Sequence, residues 1–154
     1  MSDGKGRIGD RVTFGTEKKI GWDKLNEKDV YRKPDGSLLT GWGRINGYWY
    51  YFLPDGTMVT GWQKVNNKWY FFNLNGSMAV GWVKDNGNWY YLVPETETGD
   101  GYVAGEMLPC GWHNLQGRYF YMDPDGKMHK GWLFDQGRWY YLNELDNALE
   151  GVMF

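Results

Sequence analysis

The pair Gly-Trp begins at Gly21, Gly41, Gly61, Gly81, Gly111 and Gly131, a spacing of twenty residues broken by one interval of thirty. Gly151 falls twenty beyond Gly131, with Val152 where the tryptophan would stand. Seven residues after each tryptophan a second aromatic cluster begins: WYYF at 49–52, WYFF at 69–72, WYYL at 89–92, YFYM at 119–122 and WYYL at 139–142. DVYR at 29–32 holds that place in a degenerate first unit. A fixed short period restricts the chain to architectures made of one small unit repeated in series. The unit reads as a β-hairpin. Asn46-Gly47 is the strongest short-range signal for a two-residue type I′ turn, and Asn66-Asn67, Asn86-Gly87, Gln116-Gly117 and Gln136-Gly137 recur at its position. A second turn follows each aromatic strand, PDG at 34–36, 54–56 and 124–126 and LNG at 74–76. One such hairpin is marginal in water, whereas a stack of them buries the faces. The expected fold is all-β, a solenoid of stacked hairpins at about 20 residues per repeat. The repeats fall at about 21–40, 41–60, 61–80, 81–110, 111–130 and 131–150 in a module spanning 21–154, with residues 1–20 as a lead-in or cap.

Composition sharpens the question of where the aromatics go. Ten Trp, twelve Tyr and seven Phe stand beside 23 Gly, at a mean hydropathy of −0.67. The chain is aromatic without the aliphatic mass of an ordinary core. A net charge of −2 offers no electrostatic footprint for nucleic acid or an acidic membrane. No stretch reaches the apolar length of a membrane span, and MSDGKGRIGD has no apolar core of a signal peptide. The single cysteine, Cys110, excludes an internal disulfide. HExxH, GxSxG, GxGxxG and P-loop patterns are absent, His113 and His129 stand alone, and no metal or cofactor is implied. Catalysis within these 154 residues is not expected. The long interval carries an insertion, ETETGDGYVAG, after Pro94. Its acids, Glu95, Glu97, Asp100 and Glu106, lack the order of a calcium loop and read as a solvated surface loop.

A turn at Asn46-Gly47 sets Arg44 opposite Trp49 and Trp42 opposite Tyr51. Side chains alternate along a strand, so these four share one face. Ile45, Tyr50 and Phe52 take the other, repeated as Val65/Tyr70/Phe72 and Leu115/Phe120/Met122, and this second set is the expected core. The first set reads as a row of aromatics along the outside of the stack. Cross-strand aromatic pairs stabilise hairpins by roughly 0.2–1 kcal/mol with no ligand involved, which accounts for one tryptophan per hairpin. It accounts less well for two tryptophans and a tyrosine on one face in successive units. Aromatic walls without aliphatic filler suit a cation with an apolar skin, above all a quaternary ammonium.

GWGRINGYWYYFLPDGTMVT at 41–60 resembles the choline-binding repeat of Gram-positive cell-wall proteins and phage lysins, whose unit runs GW–x–K/R–…–G–x–WYYL–…–G–x–M–x–T. The resemblance spans about residues 21–151. It implies a left-handed solenoid of hairpins in which two Trp of one repeat, a Tyr of the next and a nearby Met hold choline. In that family the choline is phosphocholine of cell-wall teichoic acids, and the module anchors a partner domain there. Carried over, the first cage uses Trp42, Trp49 and Phe71, where Phe replaces the usual Tyr. The next uses Trp62, Trp69 and Tyr91, and the third Trp82, Trp89 and Tyr121, astride the insertion. The fourth uses Trp112, Tyr119 and Tyr141, with Tyr119 in place of the second Trp. Met58, Met78, Met107 and Met128 occupy the family's Met position, with core filler as the equal alternative. Trp22 faces Asp29 instead of a second Trp, and Trp132 and Trp139 have no following aromatic strand, so the end units act as caps.

Arg44, Lys64 and Lys84 recur on the cage face. Either their stems cover the Trp rings while the charge sits in water, or they attract the phosphate that accompanies choline. The resemblance implies an extracellular module at the bacterial wall; charge and hydropathy give no nucleic-acid partner and no membrane insertion, and a weak homodimer stays open as a further partner. Two other readings stay open. Related aromatic and glycine repeats bind glucan and other carbohydrates, and Asn66, Asn67, Asn86 and Asn88 are the amides that could reach sugar hydroxyls. A stacked spacer or self-association module needs no small ligand at all.

Overall fold

The structure, a computed structural model, describes residues 19–143. The lead-in at 1–18 and the Gly151 position lie outside the described residues. Among the described residues, twelve five-residue strands pair as six two-stranded hairpins. They are β1 (Gly21–Leu25) with β2 (Lys28–Arg32), β3 (Gly41–Ile45) with β4 (Tyr48–Phe52), and β5 (Gly61–Val65) with β6 (Lys68–Phe72). Then follow β7 (Gly81–Asp85) with β8 (Asn88–Leu92), β9 (Gly111–Leu115) with β10 (Arg118–Met122), and β11 (Gly131–Asp135) with β12 (Arg138–Leu142). The fold is the all-β repeat of stacked hairpins that the period predicts.

The hairpin turns explain the register. Asn46 and Gly47 adopt φ of 52° and 86°, the two left-handed residues of a type I′ turn. With that turn fixed, Arg44 stands opposite Trp49 and Trp42 opposite Tyr51. Gln116-Gly117 and Gln136-Gly137 adopt the same pair of positive φ angles. Asn26 and Glu27 adopt it too, at 52° and 67°, so the degenerate first unit turns in the same way.

The described residues form two compact units. One holds the residues up to Gly61 together with Phe72–Ser77; the other holds Trp62–Phe71 together with the residues from Met78 onward. Within each, the segment after the second turn ties hairpins to one another. In the first unit Met58 N–H donates to Asp29 O of the preceding hairpin at 2.9 Å, while Val59 N–H donates to Tyr51 O of its own hairpin at 2.9 Å. In the second unit Met107 and Leu108 reach Trp69 O and Tyr91 O, and Met128 and His129 reach Trp89 O and Tyr121 O, all at 2.8–2.9 Å. Consecutive amides of an extended segment point in opposite directions, so one segment bonds two hairpins.

The core follows the same period. Phe52 and Phe72 in the first unit, and Leu92, Met122 and Leu142 in the second, are the last residues of their hairpins and are fully buried. The first hairpin departs from this. Arg32 stands at the core position, buried, and its guanidinium is satisfied by Asp23 Oδ2 at 3.0 Å and Gly36 O at 3.2 Å. A buried charge requires such partners. The methionines pack beneath the next turn: Met58 lies where a Cβ on Gly76 would stand, and Met107 where one on Gly126 would stand. Gly126 also has φ of 92°, so both space and backbone exclude a side chain.

The insertion is the surface segment expected from its acids at Glu95, Glu97 and Asp100, which are exposed, whereas Glu106 is buried. Glu95–Asp100 forms a 3₁₀ turn capped by Gly101 in the left-handed region. The Glu97 carboxylate accepts the Tyr91 hydroxyl at 2.6 Å. Glu106 is only 5% exposed and accepts from Lys68 Nζ at 3.1 Å and from the Val103 amide at 2.6 Å. The sequence shows acids in a glycine-rich stretch, but the return of the chain onto the preceding hairpin is a long-range event. Among the described residues no cluster of His, Cys, Asp or Glu is arranged to hold a metal. Among the described residues no helix is long and apolar enough to cross a membrane.

The second turns carry an acid-sensitive element. Asp55 Oδ1 accepts the Thr57 amide at 2.9 Å, and Asp35 and Asp125 accept from Ser37 and Lys127 in the same way. These bonds hold the three carboxyls below their ordinary value of 3.8. Each therefore contributes stability that is present above pH 3.8 and is lost as pH falls through its lower folded value. Asn75 makes the equivalent bond to Ser77, at 2.9 Å, without a charge. Asp55→Asn is thus expected to leave stability at pH 6 nearly unchanged while weakening the acid dependence, read by urea denaturation at pH 6 and pH 3. An unchanged acid dependence would contradict this account of the turn.

Candidate aromatic ligand sites

The first tryptophan of each hairpin is a stacking residue. Trp22, Trp42, Trp82, Trp112 and Trp132 each meet the tyrosine opposite them in their own hairpin edge-on, with ring centroids 5.0–5.2 Å apart. Trp62 meets Phe71 in the same way at 4.9 Å. The other side of the ring packs on the following hairpin. In the first unit Trp22 meets Tyr50 at 5.0 Å and Phe52 at 5.9 Å, and Trp42 meets Phe72 at 5.8 Å. In the second, Trp62 meets Tyr90 at 4.8 Å, Trp82 meets Phe120 at 5.0 Å and Trp112 meets Tyr140 at 4.8 Å. The two faces that alternation separates, a core face and an aromatic row, are therefore pressed together, one from each hairpin.

The ring that packs on the preceding hairpin and the ring that the resemblance assigns to the ligand are neighbours in sequence. Tyr91, Tyr121 and Tyr141, taken from the resemblance, lie against Trp82, Trp112 and Trp132 of their own hairpins, and Phe71 lies against Trp62. The rings that reach the preceding hairpin's Trp are Tyr90, Phe120 and Tyr140. Neighbouring residues of a strand point to opposite faces, so a one-residue shift exchanges one hairpin contact for another. Tyr91 is 5% exposed, and burial together with the Glu97 carboxylate pushes its hydroxyl well above the usual phenol range. The set Trp42, Trp49 and Phe71 draws its members from both units.

The second aromatics differ in exposure, Trp49 and Trp89 being half-buried, and Trp82, a first aromatic, is itself exposed. Trp69 is 41% exposed and Tyr119 is exposed, while Trp139 and its partner Trp132 are each 65% exposed. Trp49 and Trp89 stand edge-to-face with Trp42 and Trp82 at 6.2 and 6.3 Å. Met107 and Met128, through the amides described above, stand directly beside Trp69 and Trp89. Met58 stands beside Asp29 instead, where Lys24 Nζ holds the carboxylate at 3.0 Å and no tryptophan is present. Met78 packs at Gly105.

Cations already lie over the second tryptophans. Arg44 Cζ is 5.5 Å from the Trp49 centroid, Lys64 Nζ 5.9 Å from that of Trp69, and Lys84 Nζ 5.5 Å from that of Trp89. The charge itself is within cation–π range, so these residues do more than cover the ring with an aliphatic stem.

Two further groups went unread in the sequence. Trp62 Nε1 donates to Asp85 Oδ2 at 3.1 Å, and Trp112 Nε1 donates to Asp135 Oδ2 at 3.0 Å. The acids close the first strands of the following hairpins, at positions held by Leu25, Ile45, Val65 and Leu115 in the other units. That substitution of Asp for an aliphatic residue was the available signal.

The arrangement defines a class of protein: a repeat module that presents aromatic recesses along stacked hairpins. The choline-binding repeat family matches residues 39–64, 59–98 and 110–149, and the chain belongs to that family. Among solved structures it is similar to choline binding protein F of Streptococcus pneumoniae, crystallised with a peptidoglycan analogue, at 35% identity and a TM-score of 0.75. That likeness covers 88% of this chain and 45% of the other. CbpJ of the same organism gives 34% identity and a TM-score of 0.75, over 88% and 46% of the two chains. The modular Cpl-1 endolysin, complexed with a peptidoglycan analogue, gives 30% identity and a TM-score of 0.54, over 88% and 40%. The chain thus spans less than half the length of each of these relatives. No curated protein sequence matches it.

Proposed function

We propose that the chain is a non-catalytic anchoring module that holds choline, as phosphocholine on teichoic acids of a bacterial cell wall, by cation–π contact in its aromatic recesses. Each recess takes the second aromatic of one hairpin, the first Trp behind it, and a ring and methionine from the next. The clearest combines Trp62, Trp69, Tyr90 and Met107; the next combines Trp82, Trp89, Phe120 and Met128. Trp112 and Tyr119 with Tyr140 form a weaker one, and Trp42 and Trp49 belong to a fourth. The observation that supports this reading is the Lys or Arg charge lying 5.5–5.9 Å from the ring centroids of Trp49, Trp69 and Trp89, within the range of a cation–π contact. A quaternary ammonium of higher apolar content competes for the same surface with less loss of hydration.

The two tryptophans of a recess separate in a test. Trp62 is wedged between Phe71 and Tyr90 with its indole N–H bonded, so Trp62→Ala is expected to weaken folding as well as binding. Trp69 is 41% exposed. Trp69→Ala is therefore expected to preserve the melting temperature while removing one site, at a cost of about 1–2 kcal/mol in choline binding there. Calorimetric titration with choline reads this directly. An unaltered titration in folded Trp69→Ala would remove this recess from the proposal.

A further inference from the structure

The thirty-residue unit contains a cavity of about 530 Å³ that the aromatic repeat does not explain. One wall is the inserted segment, with Glu97, Asp100 and Tyr102; the other is β9 and its turn, with Trp112, Asn114 and Gln116. Tyr91 lies at its base. The volume falls inside the roughly 300–1,000 Å³ typical of small-molecule sites and exceeds what a single choline requires.

Its chemistry differs from that of the recesses. Neither Lys nor Arg lines it, whereas Arg44, Lys64 and Lys84 attend Trp49, Trp69 and Trp89. The Tyr91 hydroxyl fixes one oxygen of Glu97 at 2.6 Å and leaves the second without a partner among the described residues. Asp100 and the Gln116 carboxamide also have no hydrogen-bond or ion-pair partner among the described residues. Asn114 Oδ1 accepts the Gly117 amide at 2.9 Å, which fixes the carboxamide and leaves its N–H₂ donors for a ligand. The Tyr102 ring stands 6.2 Å from that of His113. Carboxylate acceptors, amide donors and aromatic rings thus converge without a fixed positive charge.

We propose that the insertion builds a binding pocket for a neutral saccharide, separate from the aromatic recesses for choline. Sugar hydroxyls both donate and accept, so they match Glu97 and Asp100 on one side and Asn114 and Gln116 on the other. The apolar C–H face of a pyranose suits the Tyr102 ring. A quaternary ammonium has no N–H to donate and leaves the carboxamides unpaired, and an acidic ligand is repelled by the two carboxylates.

The test uses the full chain with choline in large excess, so that the recesses are filled. Chitotriose, maltotriose and isomaltotriose are titrated separately and followed by amide NMR. At least one is expected to shift the signals of residues 95–102 and 114–117. Its dissociation constant is expected to rise about tenfold in Asp100→Ala, with melting temperature and choline-resin retention unchanged, and similarly in Asn114→Ala, which also loses the Gly117 turn bond and with it some melting temperature. No shift with any of the three at tens of millimolar overturns the proposal. So does displacement of the sugar by choline, or equal binding by folded Asp100→Ala. Loss of choline retention with intact sugar binding would instead overturn the anchoring reading and leave this pocket standing.

Discussion

Replacing Trp69 and Trp89 together with alanine is expected to lower retention on a choline-bearing polymer by about 10²-fold or more, with a lower melting temperature from the loss of Trp89, which is half-buried against the core of the second unit. A single open recess binding a small cation has an expected affinity near the millimolar range, about −4 kcal/mol. Useful attachment therefore rests on several recesses engaging one polymer. Linked sites multiply effective affinity by roughly 10²–10⁴ without any new contact, and that factor is what the double variant removes. The backbone of both hairpins should persist, because β7 and β8 keep their ladder and Phe72 and Leu92 stay buried. Elution by free choline measures the effect, with circular dichroism as the check on folding. A ligand held between stacked hairpins binds only the stacked state, so on the proposed function choline should also raise the melting temperature of the parent, and raise that of the double variant less. Undiminished retention by the folded double variant would mean that multivalent choline binding is not how the module attaches.

Glu106→Ala should be the most damaging change outside the aromatic repeat. The carboxylate is 5% exposed, accepts the Val103 amide at 2.6 Å and pairs with Lys68 Nζ at 3.1 Å. Removing it strands the Val103 amide and half of an ion pair. Lys68 keeps 38% of its side chain in water, which moderates the loss. The expected destabilisation is about 3 kcal/mol, or roughly a 10 °C fall in melting temperature for a chain of this size. Glu106→Gln retains the acceptor for Val103 and should fall between parent and alanine variant. Equal melting temperatures for all three proteins would show that the buried pair contributes nothing.

Much was determined by the sequence alone, because it depended on local chemistry repeated many times. Asn46-Gly47 can hardly do anything but turn, and the turn dictates that Trp42 faces Tyr51 and Arg44 faces Trp49. The period then requires stacking, and the spacing of two aromatics by seven residues identifies the family. Alternation also marked Phe52, Phe72 and Met122 as core, and they are buried. What each face packs against was beyond reach of that reasoning. A strand's period says that Tyr90 and Tyr91 point oppositely, but only the stacked hairpins show that Tyr90 reaches back to Trp62 while Tyr91 stays with Trp82. Glu97 and Glu106 were legible as acids in a loop, and their partners, Tyr91 and Lys68, were not. Periodicity fixes directions within a hairpin. Contacts between hairpins, and the pocket beneath the insertion, depend on how the chain returns across tens of residues, and only the tertiary structure decides that.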